Sequence, residues 1–154
     1  MDFAKLLKPE AVKVLTAASS KKRLLHEIGD LVSGVYGLNT GIVVEALLAR
    51  ENLGPTGVGN GVALPHAHIE GLESVVGALV LLYRPVDFDS VDRQPVEIAF
   101  ALFAPLNAGV EHLKALALVS RTLREASIRA KIRSNPDPTT IFAILSETQN
   151  SQAA

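Results

Sequence analysis

The chain contains no cysteine and no tryptophan, a single methionine, and only 5% aromatic residues. The missing cysteines exclude disulfides, thiolate catalysis and cysteine zinc sites together, and they suit a reducing compartment. An excess of charge is missing as well. Fifteen basic against sixteen acidic residues give a formal charge of −1, so no global field draws the protein to a polyanion such as DNA. No apolar run approaches the ~20 residues of a membrane span. The opening "MDFAKLLKPEAVKVL" lacks the basic region and long apolar core of a secretory signal. These absences lead to the expectation of a cytoplasmic protein with no direct membrane insertion and no nucleic-acid partner.

What is present has a globular profile: 48% hydrophobic residues, mostly aliphatic, and 20% charged. A chain of 154 residues suits one domain, expected over 1–147, with a polar tail over 148–154 that lacks a packing pattern and is expected to fray. "AVKVLTA" reads as a first strand. After Ser19 and Ser20, the apolar residues Leu24, Leu25, Ile28, Leu31, Val32 and Val35 recur at helical spacing, and Gly37 offers a stop. His26 lies on or beside that stripe and reads as a structural or surface histidine. Thr40 or Asn39 caps a second helix that ends near Gly54 and Pro55.

Beyond a glycine-rich loop, "GVALPHA" reads as a short buried strand that Pro65 brings to an end or an edge. Two near-continuous apolar runs follow, "SVVGALVLLYRPVDF" and "VEIAFALFAPL", the mark of strands covered on both faces. One helix is expected from Val110 through "SRTLREASIRAKI", and another from Pro138. Its basic residues Arg121, Arg124, Arg129, Lys131 and Arg133 lack interleaved aromatics and read as a solvated helix face. The order of elements predicts an α/β fold: a single domain with a mixed, roughly five-stranded sheet flanked by helices.

The stretch "GPTGVGNGVALPHAHIEGL", Gly54 to Leu72, places two of the chain's four histidines at the end of a glycine loop. It is no P-loop, because no lysine follows the glycines to neutralise phosphates. The dinucleotide fingerprint fails at Val62, where a third glycine is required. A metal held by His66 and His68 lacks obvious third and fourth ligands, and no serine sits in a nucleophile elbow. Two readings remain on spacing alone. Either both histidines merely decorate a tight turn, or one is a nucleophile for a phosphoryl group, with bare glycine amides to hold its oxygens.

At these residues the chain resembles the enzyme IIA domains of the fructose/mannitol class in the bacterial phosphoenolpyruvate-dependent phosphotransferase system. The resemblance rests on Arg50-Glu51, the Thr-Gly-x-Gly-x-Gly loop from Thr56 to Gly61, Pro65-His66-Ala67, then Pro95-Val96, Pro105 and His112-Leu113. It covers roughly residues 3 to 147, and the wording of the motif is most similar to the stand-alone nitrogen-regulatory branch. It implies a phosphotransferase component in which His66 accepts a phosphoryl group from a histidine phosphocarrier protein of the HPr or NPr type. Arg50 would stabilise that group and His112 would support it. Thr56, Gly57, Gly59, Asn60, Gly61, Pro65, Ala67 and His68 would form the pocket and its rim. Neither a cofactor nor a metal is implied.

By the same resemblance, phosphorylation would govern binding to regulatory protein targets. The alternatives are a sugar-specific enzyme IIA that passes the group to a IIB component, and a binding module that is not phosphorylated. One departure stands out: the branch commonly carries Lys or Arg where this sequence has His68, which would make a permanent charge pH-dependent.

Overall fold

The computed structural model describes the backbone of residues 1–153 and the side chains of residues 1–147. The tail expected to fray over 148–154 lies outside the fully described residues. The elements run α1 (Phe3–Leu6), β1 (Leu7–Leu15), α2 (Lys21–Tyr36), α3 (Thr40–Asn52), β2 (Gly57–Gly59), β3 (Val62–Ala63) and β4 (His66–His68). They continue with β5 (Val76–Val86), β6 (Val96–Ala104), α4 (Val110–Arg124), α5 (Ala126–Ser134) and α6 (Pro138–Ala153). The expected mixed sheet is present with six strands, in the order β1-β5-β6-β3-β2, and β4 also pairs with β6.

The two apolar runs form the centre of this sheet. β5 and β6 pair antiparallel from Val76↔Phe103 to Val86↔Val96, and every residue from Gly77 to Leu82 and from Ile98 to Ala104 is buried. A strand buried at each consecutive position must be covered on both faces. Helices supply the cover: α2 packs on β1, β5 and α3, while α6 packs on β1 and α5, and α4 on β6. Phe3 of α1 meets Phe100 of β6 edge to face with ring centroids 5.9 Å apart. Among the described residues, no helix is long and apolar enough to cross a membrane.

Helix ends follow their local chemistry. Ser20 caps α2 by accepting the Arg23 amide at 3.0 Å, and Gly37 ends it in the left-handed conformation at φ 74°. Asn39, rather than Thr40, caps α3 through the Ile42 amide. β1 begins at Leu7, earlier than expected, and its parallel pairing with β5 shifts between Leu7 and Val12, around Pro9, which has no amide to donate.

The helix expected to run unbroken from Val110 is two helices. Glu125 is extended between α4 and α5, and Arg129 reaches back to cap α4, its Nη1 donating to the carbonyls of Leu123 and Arg124 at 2.9 and 2.6 Å. The break turns Ile128 and Ile132 into the core. Arg133 is likewise engaged, paired with Glu97 on β6.

The strand expected over "GVALPHA" is divided at Pro65 into β3 and β4, and the glycine loop before it contributes a further strand, β2, so that β2 and β3 form a hairpin. β2 pairs antiparallel with β3, and the turn residues Asn60 and Gly61 have φ of 59° and 77°. Asn-Gly is the dipeptide that tolerates two consecutive left-handed residues. At the base of the hairpin the backbone passes against the β5–β6 connection: a Cβ built on Gly57 would fall on Ser90 Oγ and within 2.9 Å of the Ser90 Cα. Gly57→Ala is therefore expected to destabilise the protein by about 2 kcal/mol through overpacking. Urea unfolding should show Ser90→Gly recovering part of that loss in the double variant, and an unchanged midpoint for Gly57→Ala alone would contradict the close approach.

Candidate active site

The site assembles where the end of α3, the strand β4 and the first turn of α4 meet. Pro65 interrupts the edge of the sheet, but the chain resumes pairing with the same neighbour. Leu102 donates its amide to the Pro65 carbonyl, and β4 then runs parallel to β6 with His66 opposite Leu102 and His68 opposite Ala104. Side chains alternate along a strand, so His66 and His68 emerge on one side and Ala67 turns inward. His66 is half-buried, His68 exposed and Ala67 buried. Ala67, expected at the rim, therefore lies beneath the site with its methyl in the core.

Two hydrogen bonds fix the His66 ring. Its Nδ1 lies 2.9 Å from the Leu64 carbonyl, an oxygen that can only accept, so Nδ1 carries the proton. Nε2 is thereby left with its lone pair, and Arg50 Nε donates to it at 3.2 Å. Burial, followed by the nearby Arg50 and His68, lowers the pKa of His66 against the opposing pull of the Leu64 carbonyl and Glu51. The ring is held neutral with one nitrogen available.

Arg50 is aimed by the way α3 ends. The amides of Leu53 and Gly54 bond back to the carbonyls of Arg50 and Glu51, which tightens the last turn, and Arg50 Nη1 donates to the Gly54 carbonyl at 2.9 Å. Its neighbour Glu51 faces the opposite way and is buried. Its carboxylate accepts from both the amide and the hydroxyl of Thr56 and pairs with Lys21 Nζ at 2.8 Å. Lys21 also sits over the Phe88 ring at 4.6 Å. Glu51 and Lys21 thus anchor the loop that leads to His66, and no hydropathy pattern marks an ionised side chain as buried.

His112 comes from α4, with Val110 and Leu113 exposed on either side of it. Its ring centroid lies 5.5 Å from that of His66 and 4.9 Å from that of His68, so the three imidazoles form one cluster. Only 6% of His112 is exposed, and its buried Nδ1 has no protein partner. Burial, followed by the neighbouring His66 and His68, lowers its pKa to about 4. None of the described His, Asp and Glu residues is grouped so as to hold a metal ion.

The structure does not bring every expected pocket residue here. Thr56 and Gly57 lie at the base of the loop, against Glu51 and Ser90. Gly59, Asn60 and Gly61 are at the hairpin tip, where the Asn60 amide donates to Asp92 at 3.0 Å, the Asn60 carbonyl accepts from Arg133, and Gly61 faces Glu97. The contacts of that tip are with the β5–β6 connection, the start of β6 and α5, not with the histidine cluster. Asp92 was not singled out by sequence. Its two oxygens accept the amides of Gln94 and Asn60, which hold its pKa below the usual carboxylate range. His26 is on α2, apart from the cluster.

The family described as "Phosphoenolpyruvate-dependent sugar phosphotransferase system, EIIA 2" matches residues 5–148. A nitrogen regulatory protein of Bradyrhizobium diazoefficiens is 43% identical over 145 residues, spanning 94% of this chain and 95% of that protein. One from Pseudomonas aeruginosa is 38% identical over 148 residues, 96% of each chain. The crystal structure of the nitrogen regulatory protein IIA-Ntr from Neisseria meningitidis superposes with a TM-score of 0.86 at 36% identity, covering 93% of this chain and 98% of the other.

The buried neutral His112 has a consequence for stability. Its folded pKa lies below the value of about 6.5 that it would have when unfolded, so between the two the unfolded chain binds more protons. The contribution of His112 to stability is intact above pH 6.5 and is lost as pH falls toward 4. In urea unfolding, acidification from pH 7.5 to 4.5 is expected to cost the wild type about 2 kcal/mol more than it costs His112→Gln. Equal losses would show that His112 is not held neutral.

Proposed function

The chain belongs to the EIIA type 2 family of the phosphoenolpyruvate-dependent sugar phosphotransferase system, and we propose that it is a regulatory phosphoryl carrier whose acceptor is Nε2 of His66. The observation that carries this reading is the pair of bonds on the His66 ring. Nδ1–H is committed to the Leu64 carbonyl, while the Nε2 lone pair faces Arg50. A neutral imidazole whose one nitrogen holds the proton and whose other presents a lone pair to a displaceable donor is a competent phosphoryl acceptor.

In the proposed step a phosphohistidine of an HPr- or NPr-type carrier approaches in line. The P–N bond to the carrier breaks, its electron pair returning to the carrier imidazole, as the His66 Nε2 lone pair forms the new P–N bond. The ring keeps its Nδ1 proton, and the Leu64 carbonyl stabilises the positive charge that develops there. Phosphoryl transition states are loose and carry their charge on the peripheral oxygens, so positioning and charge stabilisation dominate. The Arg50 guanidinium, already hydrogen-bonded to Nε2, is placed to turn its planar fork onto those oxygens. The His112 ring lies 5.5 Å from that of His66, centroid to centroid, and in this reading offers a neutral N–H to the phosphoryl oxygens.

The regulatory part of the reading is supported by the nitrogen regulatory relatives and by the rim. Val110 and Leu113 are exposed apolar residues at 62% and 65%, flanking His112 beside the acceptor. A partner that docks over this rim meets the acceptor directly, so an added phosphoryl charge changes the fit by local electrostatics. We place this relay, with its soluble phosphocarrier, in the cytoplasm.

Intact-mass measurement tests the reading after incubation with phosphoenolpyruvate, enzyme I and the phosphocarrier. One acid-labile phosphoryl group is expected on the wild type and none on His66→Ala. Arg50→Ala should slow its acquisition by about a hundredfold. A gain that survives in His66→Ala, or no gain with a carrier that phosphorylates another enzyme IIA, would reject His66 as the acceptor.

A further inference from the structure

The histidine cluster holds one more imidazole than phosphoryl transfer requires. His68 sits two residues beyond His66 on the same side of β4, and its ring lies 4.9 Å from His112. Among the described residues its side chain makes no hydrogen bond and no ion pair. Unlike His112, it is exposed to solvent and can exchange protons with it.

The charges around this cluster are few. From α3, Arg50 faces His66, and Glu51 is turned away into its bonds with Thr56 and Lys21. From α4, His112 is held neutral by burial, while Glu111 and Lys114 pair with each other at 3.5 Å on the exposed face of the helix. From β6, Ala104 stands opposite His68 and brings no charge. Beyond β4, Glu70 is exposed. A phosphoryl group on Nε2 of His66 would thus meet one fixed cation, Arg50, and a neutral, buried His112.

We propose that His68 is the phosphoryl-linked proton acceptor of this site: when His66 is phosphorylated, His68 takes up a proton from solvent and becomes the second cationic contact for the phosphoryl oxygens. The inference rests on the reading of His66 as acceptor and adds its regulation. An opposite charge nearby favours the ionised form of a titrating group; His68 follows His66 by two residues on the same side of β4 and its charge is felt at the His66 ring, so the newly bonded phosphoryl oxygens supply that opposite charge. The buried His112 cannot respond in this way without ionising inside the core, whereas an exposed imidazole can. His68 is a positioning residue for the phosphorylated state and forms no bond to phosphorus. Phosphorylation and proton uptake are then linked, and by reciprocity acidification favours the phosphorylated form.

The test uses histidine-labelled full chain and follows the ring signals of His68 and His26 by NMR from pH 5.5 to 9. Spectra are recorded with and without phosphoenolpyruvate, enzyme I and carrier, and intact mass is measured in parallel. With His66 phosphorylated, the proton affinity of His68 should rise about tenfold, with His26 unmoved. The ratio of phosphorylated to unphosphorylated wild type, measured at equilibrium with a limiting pool of phosphorylated carrier and taken relative to the same ratio for His68→Lys at each pH to cancel the carrier's own titration, should fall about tenfold from pH 6 to 9. For His68→Gln the same ratio should stay flat. A phosphorylated protein whose His68 titrates as before, or a flat wild-type ratio, overturns the inference and leaves the acceptor reading standing. No phosphoryl group on His66 overturns both.

Discussion

The buried carboxylate of Glu51 is the constraint from which the site hangs. It receives the amide and hydroxyl of Thr56 and the ammonium of Lys21, so one ionised side chain joins the end of α3, the start of α2 and the entry to the hairpin. Burying a carboxylate is tolerable only when its lone pairs are filled, and here three donors fill them. With Thr56 fixed, its carbonyl accepts the Leu64 amide, and the Leu64 carbonyl in turn holds Nδ1 of His66. The path from a core ion to the tautomer of the proposed acceptor is therefore four residues and a handful of hydrogen bonds. Because Glu51 adjoins Arg50, the same helix end sets the position of the guanidinium that faces Nε2. A disturbance at Glu51 would reach both partners of the proposed transfer at once.

Around that chain of bonds the fold divides its labour. β5 and β6 supply a rigid, wholly apolar centre, and the residues of chemical interest sit on the short strand β4 at the flank of β6. A strand of three residues would be weak on its own. Pairing it with a fully buried neighbour lends it stiffness, while Pro65 and the open side leave His66 and His68 accessible. The third histidine arrives from a different element, so ring contacts among the three report directly on how α4 packs against the sheet.

Much of this could be read from the residues alone, for identifiable reasons. α2 was legible end to end because Ser20 and Gly37 act within their own turns, and β5 and β6 because continuous burial leaves continuous apolar runs. The split between α4 and α5 was hidden because its cap, Arg129, lies downstream, and no glycine or proline marks the break. The hairpin was signalled by Asn60-Gly61 but masked by the surrounding glycines, which suit a loop equally well. The motif identified His66, Arg50 and His112 as residues of interest, and the structure gathers those three. A motif is linear and does not say which way a residue faces. Ala67 turned out to point inward, and Gly59 to Gly61 stand with Asp92 and Arg133 instead.

The strand order also bears on how the chain reaches this state. β1 lies beside β5 in parallel, with Leu7 against Gly77 and Val12 against Leu79, so two helices and the whole glycine loop intervene before the partners can meet. β5 and β6 are neighbours in sequence and need only a short connection. Closing the longer loop costs more entropy before any contact rewards it. The antiparallel pair therefore carries the lower closure cost, and it is this pair that the histidine-bearing strand leans on, since among the described residues β4 pairs with β6.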